Sequence, residues 1–506
     1  MSARERGWST VAEPVERPTD EPLNRWRGWG GWKVPKYLKR GNGSDAFGLA
    51  AGSAVLGLVV AAGAVLAAGP WDSGQRKAER DRAVVQQRAG GAHHEGTAPG
   101  APEPAASAPA VLSALGTASG TAPAGASGLD AVLTPLLDTP ALGSVRTAVV
   151  VDATTGEQLY ARAARTPMTP ASTVKIATTA AALSALGPAH RIQTTVTLSP
   201  DSRTLTLVGG GDPTLDEAAL RALAADTARS LHDSGTGTVR LAYDTSRYSG
   251  PALHPIGPNE NIAPVSALMA DEGRLDTSDR GPAPRTDDPA GDAARTFAEL
   301  LDDAGVATRS EPVSGKAPAG SRTVATHLSK PLSALVERAL TNSDNDIAEA
   351  LARQTALKAG EPASFAGSRR AVTARLKALG LPLAGARLAD GSGLDRADKV
   401  TAGLLARLLA LAAGPDHPEL RPVLTGLPVA GFSGTLGDRY EATSPATGLI
   451  RAKTGTLTGV NSLAGTAVDA QGRLLAFAFL ASGTTSPADA EASLDTLATA
   501  LTRGSR

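Results

Sequence analysis

Ser172 and Lys175, within TPASTVKIATTAAALSALG (169–187), stand three residues apart. On a helix that spacing puts an ammonium one turn from a hydroxyl on the same face. A serine hydroxyl is a weak nucleophile until a nearby base takes its proton. Lysine serves as that base only when neutral, and burial lowers its pKa by disfavouring the ammonium. A second cation lowers it further, and Lys453 is available for that role. At a helix start, the N–H of Ser172 also lies at the positive end of the dipole, where a developing oxyanion is stabilised.

Alone, Ser-x-x-Lys arises about once by chance in a chain this long. Two further stretches add weight. TNSDNDIAEAL carries Ser343-Asp344-Asn345 just before a helical pattern, and IRAKTGTLTGVNS carries Lys453-Thr454-Gly455-Thr456 in a strand-like context. Separately, Ser343 or Asp344 can be a helix cap, and Lys-Thr-Gly can open a turn. Together and in this order they are the pattern of penicillin-recognising serine enzymes. The N–H of Thr456 is then the second oxyanion donor.

The elements that position these groups are legible from periodicity. TAVVVDATTGEQLYA (147–161) and SLAGTAVDAQGRLLAFAFLAS (462–482) read as hairpins, the second turning around Asp469–Gly472. Helical stretches fall at 332–341, 345–358 and 402–413. Strands at both ends with helices between predict one sheet closed by N- and C-terminal strands.

Upstream, the run AFGLAAGSAVLGLVVAAGAVLAAG (46–69) has no charged residue. As a helix it reaches about 36 Å, enough for a bilayer core. We expect a single membrane span there. Residues 1–45 form a basic and aromatic tail, and all five tryptophans lie in the first 71 residues. Residues 70–128 are expected to be an Ala/Pro/Gly-rich disordered linker, too poor in large apolar side chains to offset chain entropy. Basic residues flank the span equally, with Lys33, Lys36, Lys39 and Arg40 before it and Arg76, Lys77, Arg80 and Arg82 after, so they do not orient it. Lys+Arg and Asp+Glu both total 50, which excludes the basic surplus of a nucleic-acid binder. The absence of cysteine excludes disulfides, thiolate catalysis and cysteine-ligated zinc. No cofactor or metal is expected.

The chain resembles the D-alanyl-D-alanine carboxypeptidase/endopeptidases, the low-molecular-mass class C penicillin-binding proteins, over nearly all of 129–506. Besides the nucleophile segment, the resemblance rests on GGGDPTL (209–215), YDTSRYSGP (243–251), NIAPVSALMADEGRLD (261–276), DGSGLDRADKVTA (390–402), GFSGTLGDRY (431–440) and GLIRAKTGTLTGVN (448–461). It implies an α/β (α+β) transpeptidase/β-lactamase-like fold: an antiparallel sheet flanked by helices, with a β-rich domain inserted between the Ser-x-x-Lys and Ser-Asp-Asn motifs. The catalytic domain is then 129–190 and 320–506, and the insert 191–319. By the same resemblance Ser172 is acylated by the penultimate D-alanine, Lys175 is the base, Ser343 relays the proton to the leaving amine, and Asn345 holds Lys175 and the substrate amide. Lys453, Thr454, Gly455 and Thr456 line the substrate, with Lys453, Thr454 and Thr456 on its terminal carboxylate. Peptidoglycan stem peptides are the implied substrate and β-lactams the implied covalent inhibitors.

The 171 residues from Ser172 to Ser343 are fewer than this family usually shows, which points to a reduced insert. A class A β-lactamase shares the three motifs but needs a deacylating Glu-x-x-Leu-Asn loop. The corresponding LKALGLPLAGARL (376–388) has no glutamate. An esterase on the same scaffold would carry the three motifs too, as would an inactive, membrane-tethered wall-binding protein that kept the fold. Since the implied substrate is wall peptide, residues 70–506 are expected outside the cytoplasmic membrane and 1–45 inside.

Overall fold

The computed structural model describes residues 126–503 apart from 234, 236 and 442. The expected tail (1–45), span (46–69) and most of the linker lie outside the described residues. The linker's expected end at 128 falls inside a helix, α1 (Ala126–Leu137). Among the described residues no helix is long and apolar enough to cross a membrane.

From α1 the chain forms β1 (Val145–Asp152) and β2 (Gln158–Arg162), then a 3₁₀ turn over Ala171–Val174 that runs straight into α2 (Lys175–Leu186). There follow β3 (Gln193–Leu198), β4 (Thr204–Val208), α3 (Glu217–His232), β5 (Thr238–Asp244), α4 (Pro289–Asp303), the two-residue strands β6 (Ala307–Thr308) and β7 (Val313–Ser314), and β8 (Arg322–Leu328). Helices α5 (Leu332–Thr341), α6 (Asn345–Lys358), α7 (Phe365–Ala378), α8 (Ala402–Ala413) and α9 (Arg421–Thr425) come next. The chain closes with β9 (Ile450–Leu457), β10 (Val460–Val468), β11 (Leu474–Ser482) and α10 (Pro487–Thr502). The expected helices at 332–341, 345–358 and 402–413 are α5, α6 and α8.

Five strands make an antiparallel sheet in the order β2-β1-β11-β10-β9, so N- and C-terminal strands pair as the hairpins predicted. Side-chain alternation divides two cores. Val149, Val151, Ala476, Ala478 and Leu480 face α2, α5 and α8. Ala148, Val150, Phe477 and Phe479 face Leu133 of α1 and Leu494 and Leu497 of α10. With both faces covered, β11 is free to read as one apolar run, LLAFAFLAS.

Between α2 and α5 lies a second sheet, β6-β5-β4-β3-β8, with its own core around Val196, Leu207, Leu223, Leu241 and Phe297. The β-rich expectation is only half of it. α3 crosses from β4 to its parallel neighbour β5, and α4 packs beside α3. β3 pairs antiparallel with both β4 and β8. The closing strand β8 lies beyond the expected boundary at 319. Gln193 pairs with Leu328, which returns the chain beside the point where it left α2.

Candidate active site

The expected helix around Ser172 begins as the 3₁₀ turn, with Ala171 in the left-handed region at φ 48°. Holding an L-residue there costs about 1–3 kcal/mol, so neighbouring bonds must enforce it. The hydroxyls of Ser462 and Thr173 both donate to the Pro170 carbonyl, at 2.6 and 2.7 Å. α2 starts at Lys175, and its Nζ lies 2.9 Å from Ser172 Oγ.

Lys175 is fully buried. Its Nζ also donates to Asn345 Oδ1 and to the Ser392 carbonyl, each at 2.6 Å. Burial drives its pKa from 10.5 down to about 8, while Asp390, Asp344, Glu349 and Asp398 hold the proton on. Burial is the largest cause of the lowering, and Lys453 lies near enough for the two ammonium groups to repel each other. The Lys453 side chain is fully buried and has no ion-pair partner among the described residues, and burial first, then Lys175 and Arg439, push it well below the usual lysine range.

Ser343-Asp344-Asn345 opens α6. Asp344 is its N-cap, accepting the N–H of Ile347 at 2.9 Å. That cap places Asn345 at the first helical position, with Oδ1 on Lys175 and Nδ2 donating to the Asn261 carbonyl at 2.9 Å. Ser343 has φ 60°, a second left-handed residue at the same cleft. Its hydroxyl makes no hydrogen bond to Lys175 or Lys453.

Lys453, Thr454, Gly455 and Thr456 lie on β9, the edge strand of the sheet. Gly455 is required by close approach: a Cβ there would sit 2.7 Å from the Pro170 carbonyl oxygen and 3.1 Å from Ser172 N. Lys453 Nζ donates to the Thr454 carbonyl at 2.9 Å, and the Thr454 and Thr435 hydroxyls are 2.7 Å apart. Thr456 has a partner outside the motifs. Its hydroxyl donates to Glu491 of α10 at 2.7 Å, so in this state it is already engaged.

The eight predicted residues thus gather around one turn. Sequence reasoning misses the carbonyls of Ser392 and Asn261, which carry no residue-type signal, and the buried acids behind them. The segment DGSGLDRADKVTA (390–402) stands out in the chain, but its residue types do not reveal its role. Two buried groups could in principle ligate a cation, His254/Glu349/Asp390 and Glu272/Asp344/Asp346. In both, protein donors already engage the acids: His254 and backbone N–H groups in the first, Arg274, Arg338 and Arg285 in the second. A cavity of about 1270 Å³ is lined by Arg439, Tyr440, Glu491 and Asp495 and by none of the motif residues.

The family model for the D-Ala-D-Ala carboxypeptidase 3 (S13) family matches residues 129–283 and 276–503. A carboxypeptidase of Mycobacterium tuberculosis is 40% identical over 376 residues, covering 70% of this chain and 80% of that protein. A D-alanyl-D-alanine carboxypeptidase of an Actinomadura species is 31% identical over 437 residues, with coverage of 70% and 80%. Among solved structures, penicillin-binding protein 4 of Haemophilus influenzae superposes with a TM-score of 0.63 at 23% identity, covering 74% of this chain and 99% of that one. That likeness establishes the shared fold.

Proposed function

The chain belongs to the D-Ala-D-Ala carboxypeptidase 3 (S13) family, and we propose that it performs this family's serine hydrolase chemistry on peptidoglycan stem peptides through an ester on Ser172. It is a serine-type D-alanyl-D-alanine carboxypeptidase/endopeptidase. The observation that carries the site assignment is the 2.9 Å contact between Ser172 Oγ and the fully buried Lys175 Nζ.

Neutral Lys175 takes the hydroxyl proton as Ser172 Oγ attacks the penultimate D-alanine carbonyl. The oxyanion forms beside the N–H groups of Ser172 and Thr456, which β9 brings together because Gly455 has no side chain. Ser343 passes a proton to the departing amine, the C–N bond breaks, and water then cleaves the ester. Lys453 and Thr454 hold the terminal carboxylate as amine and hydroxyl donors, and the carboxylate's own charge favours the ammonium form of Lys453 once bound. A β-lactam acylates the same serine, but its leaving amine stays tethered to the acyl group. Deacylation is consequently slow, and the drug inhibits.

Residues 46–69 anchor the enzyme as a single membrane span, with 1–45 cytoplasmic and 70–506 facing the wall. The supporting facts are the uncharged 46–69 run and a substrate class that lies outside the membrane. Protease added to intact spheroplasts should cut within 89–128; protection of that stretch would reverse the orientation. The chemical test is intact-protein mass spectrometry of the full chain with penicillin, beside Ser172→Ala. One penicilloyl unit on the parent and none on the variant is expected. Rapid loss of penicillin without an adduct would indicate a β-lactamase instead.

A further inference from the structure

Lys175 Nζ reaches three oxygens: Ser172 Oγ, Asn345 Oδ1 and Ser392 O. As an ammonium it donates to all three. As a neutral amine it has two N–H bonds and one lone pair. Asn345 Oδ1 and the Ser392 carbonyl can only accept, so they take the two N–H bonds, and the lone pair is left facing the one group that can donate, Ser172. Two acceptors therefore set the direction of the base, and one of them lies outside the three motifs.

The Ser392 carbonyl is held in place from α6. Asn345 and Glu349 are four residues apart, on one face of that helix. Asn345 touches Lys175 directly; Glu349, fully buried one turn on, accepts the N–H groups of Gly391 at 2.8 Å and Ser392 at 2.9 Å. From α2, Thr178 Oγ1 donates to the Gly391 carbonyl at 2.8 Å. Asp390 ties the same loop inward, accepting from Gly393 N at 2.6 Å, Asp395 N at 2.8 Å, Ser392 Oγ at 3.0 Å and His254 Nε2 at 2.9 Å. The N–H of Ile256 points at His254 Nδ1 (3.3 Å), which keeps the imidazole proton on Nε2 for Asp390. Gly393, at φ 87°, lies so close to the Ser172 turn that a Cβ there would sit 2.1 Å from the Ala171 carbonyl oxygen. The loop is thus wedged between α6 and the turn that carries Ser172.

We propose that Glu349 is a positioning residue for the proton transfer: by holding the Gly391 and Ser392 N–H groups it keeps the Ser392 carbonyl on Lys175, and so aims the amine lone pair at Ser172. The proposal rests on Ser172 and Lys175 being nucleophile and base. A carboxylate is a costly way to fill this space, since its Oε2 is buried without a hydrogen bond. An apolar side chain would pack there at less desolvation cost but would release both N–H groups.

The test compares the full-length parent with Glu349→Ala, Glu349→Gln and Glu349→Asp, measuring the limiting rate and half-saturation of penicillin acylation, kcat and KM on a peptide ending in D-Ala-D-Ala, and Tm. Misdirecting a general base costs on the order of 10²-fold in the chemical step. Glu349→Ala should lose about that much in kcat and limiting acylation rate, with KM and half-saturation within about threefold of the parent. Glu349→Gln keeps an acceptor at the right reach and should recover to within about tenfold of the parent, whereas Glu349→Asp, one methylene short, should stay near the alanine variant. Parent-like acylation by folded Glu349→Ala overturns the proposal, as does a loss expressed in KM alone. If the alanine variant does not fold, equal rates for the Gln and Asp variants overturn it. If the parent takes up no penicillin, the assignment of Ser172 and Lys175 fails first, and the proposal with it.

Discussion

Because Lys175 must be neutral to accept the Ser172 proton, acylation should follow a single ionisation near the value that burial imposes. Lys175 is pushed down to about 8. At that value about one lysine in a hundred is neutral at pH 6 and about half at pH 8, so the limiting acylation rate should rise about 50-fold across those two units. Above pH 9 it should be flat. An unperturbed lysine at 10.5 would instead keep gaining about tenfold per unit towards pH 10. The groups facing Lys175 are Asp344 and Glu349 from α6, Asp390 and Asp398 from the loop before α8, and Lys453 from β9. The four carboxylates favour the ammonium. Asp344→Asn removes one of them and keeps a competent N-cap for α6. The midpoint should therefore move below that of the parent, with faster acylation at pH 6–7 and an unchanged alkaline plateau. Stopped-flow acylation at saturating penicillin isolates this step from the carboxylate binding assigned to Lys453. A parent rate still climbing at pH 10, or a midpoint that rises in Asp344→Asn, would refute burial as the source of the base.

Three further outcomes are expected. Ser343→Gly relaxes a residue held at φ 60° and should stabilise the fold by about 1 kcal/mol in urea titrations while removing the proton relay to the leaving amine; a variant that is both stabilised and fully active would remove Ser343 from the reaction. Glu491→Gln withdraws a carboxylate from Thr456, at the end of β9 that is to meet the substrate carboxylate, and should lower KM for a D-Ala-D-Ala peptide about two- to threefold with kcat unchanged; a higher KM would mean that Glu491 holds Thr456 productively. Phe477→Ala empties a fully buried site stacked on Phe479, with ring centroids 5.0 Å apart, and should cost about 3–5 kcal/mol. A loss below about 1 kcal/mol would show that the α1–α10 face of the sheet is not a packed core.

Side-chain chemistry and periodic elements are legible in the chain, for different reasons. Ser172 and Lys175 announce themselves because both atoms that react belong to side chains at fixed helical spacing. The sheet closure can be read because β1, β10 and β11 bury side chains on both faces and so stand out as apolar runs. Ser392 cannot be read, because its contribution is a carbonyl that every residue possesses. Its placement depends on Glu349, some 43 residues away in sequence. β8 escapes assignment to the insert because its partner β3 lies over a hundred residues upstream, and only pairing reveals the return.

Strain is the other hidden quantity. Ala171 and Ser343 occupy left-handed backbone, yet neither residue type favours it, so composition carries no trace of the cost. At about 1–3 kcal/mol each, two such residues amount to a sizeable part of a typical domain's stability. They persist because their neighbours over-determine them: Ser462 and Thr173 clamp the Pro170 carbonyl beside one, and the Asp344 cap fixes α6 beside the other. Both lie within one residue of a group assigned to the reaction, or are that group. At these two positions the strain sits where it aims a side chain, and relieving it should trade catalysis for stability at Ser343.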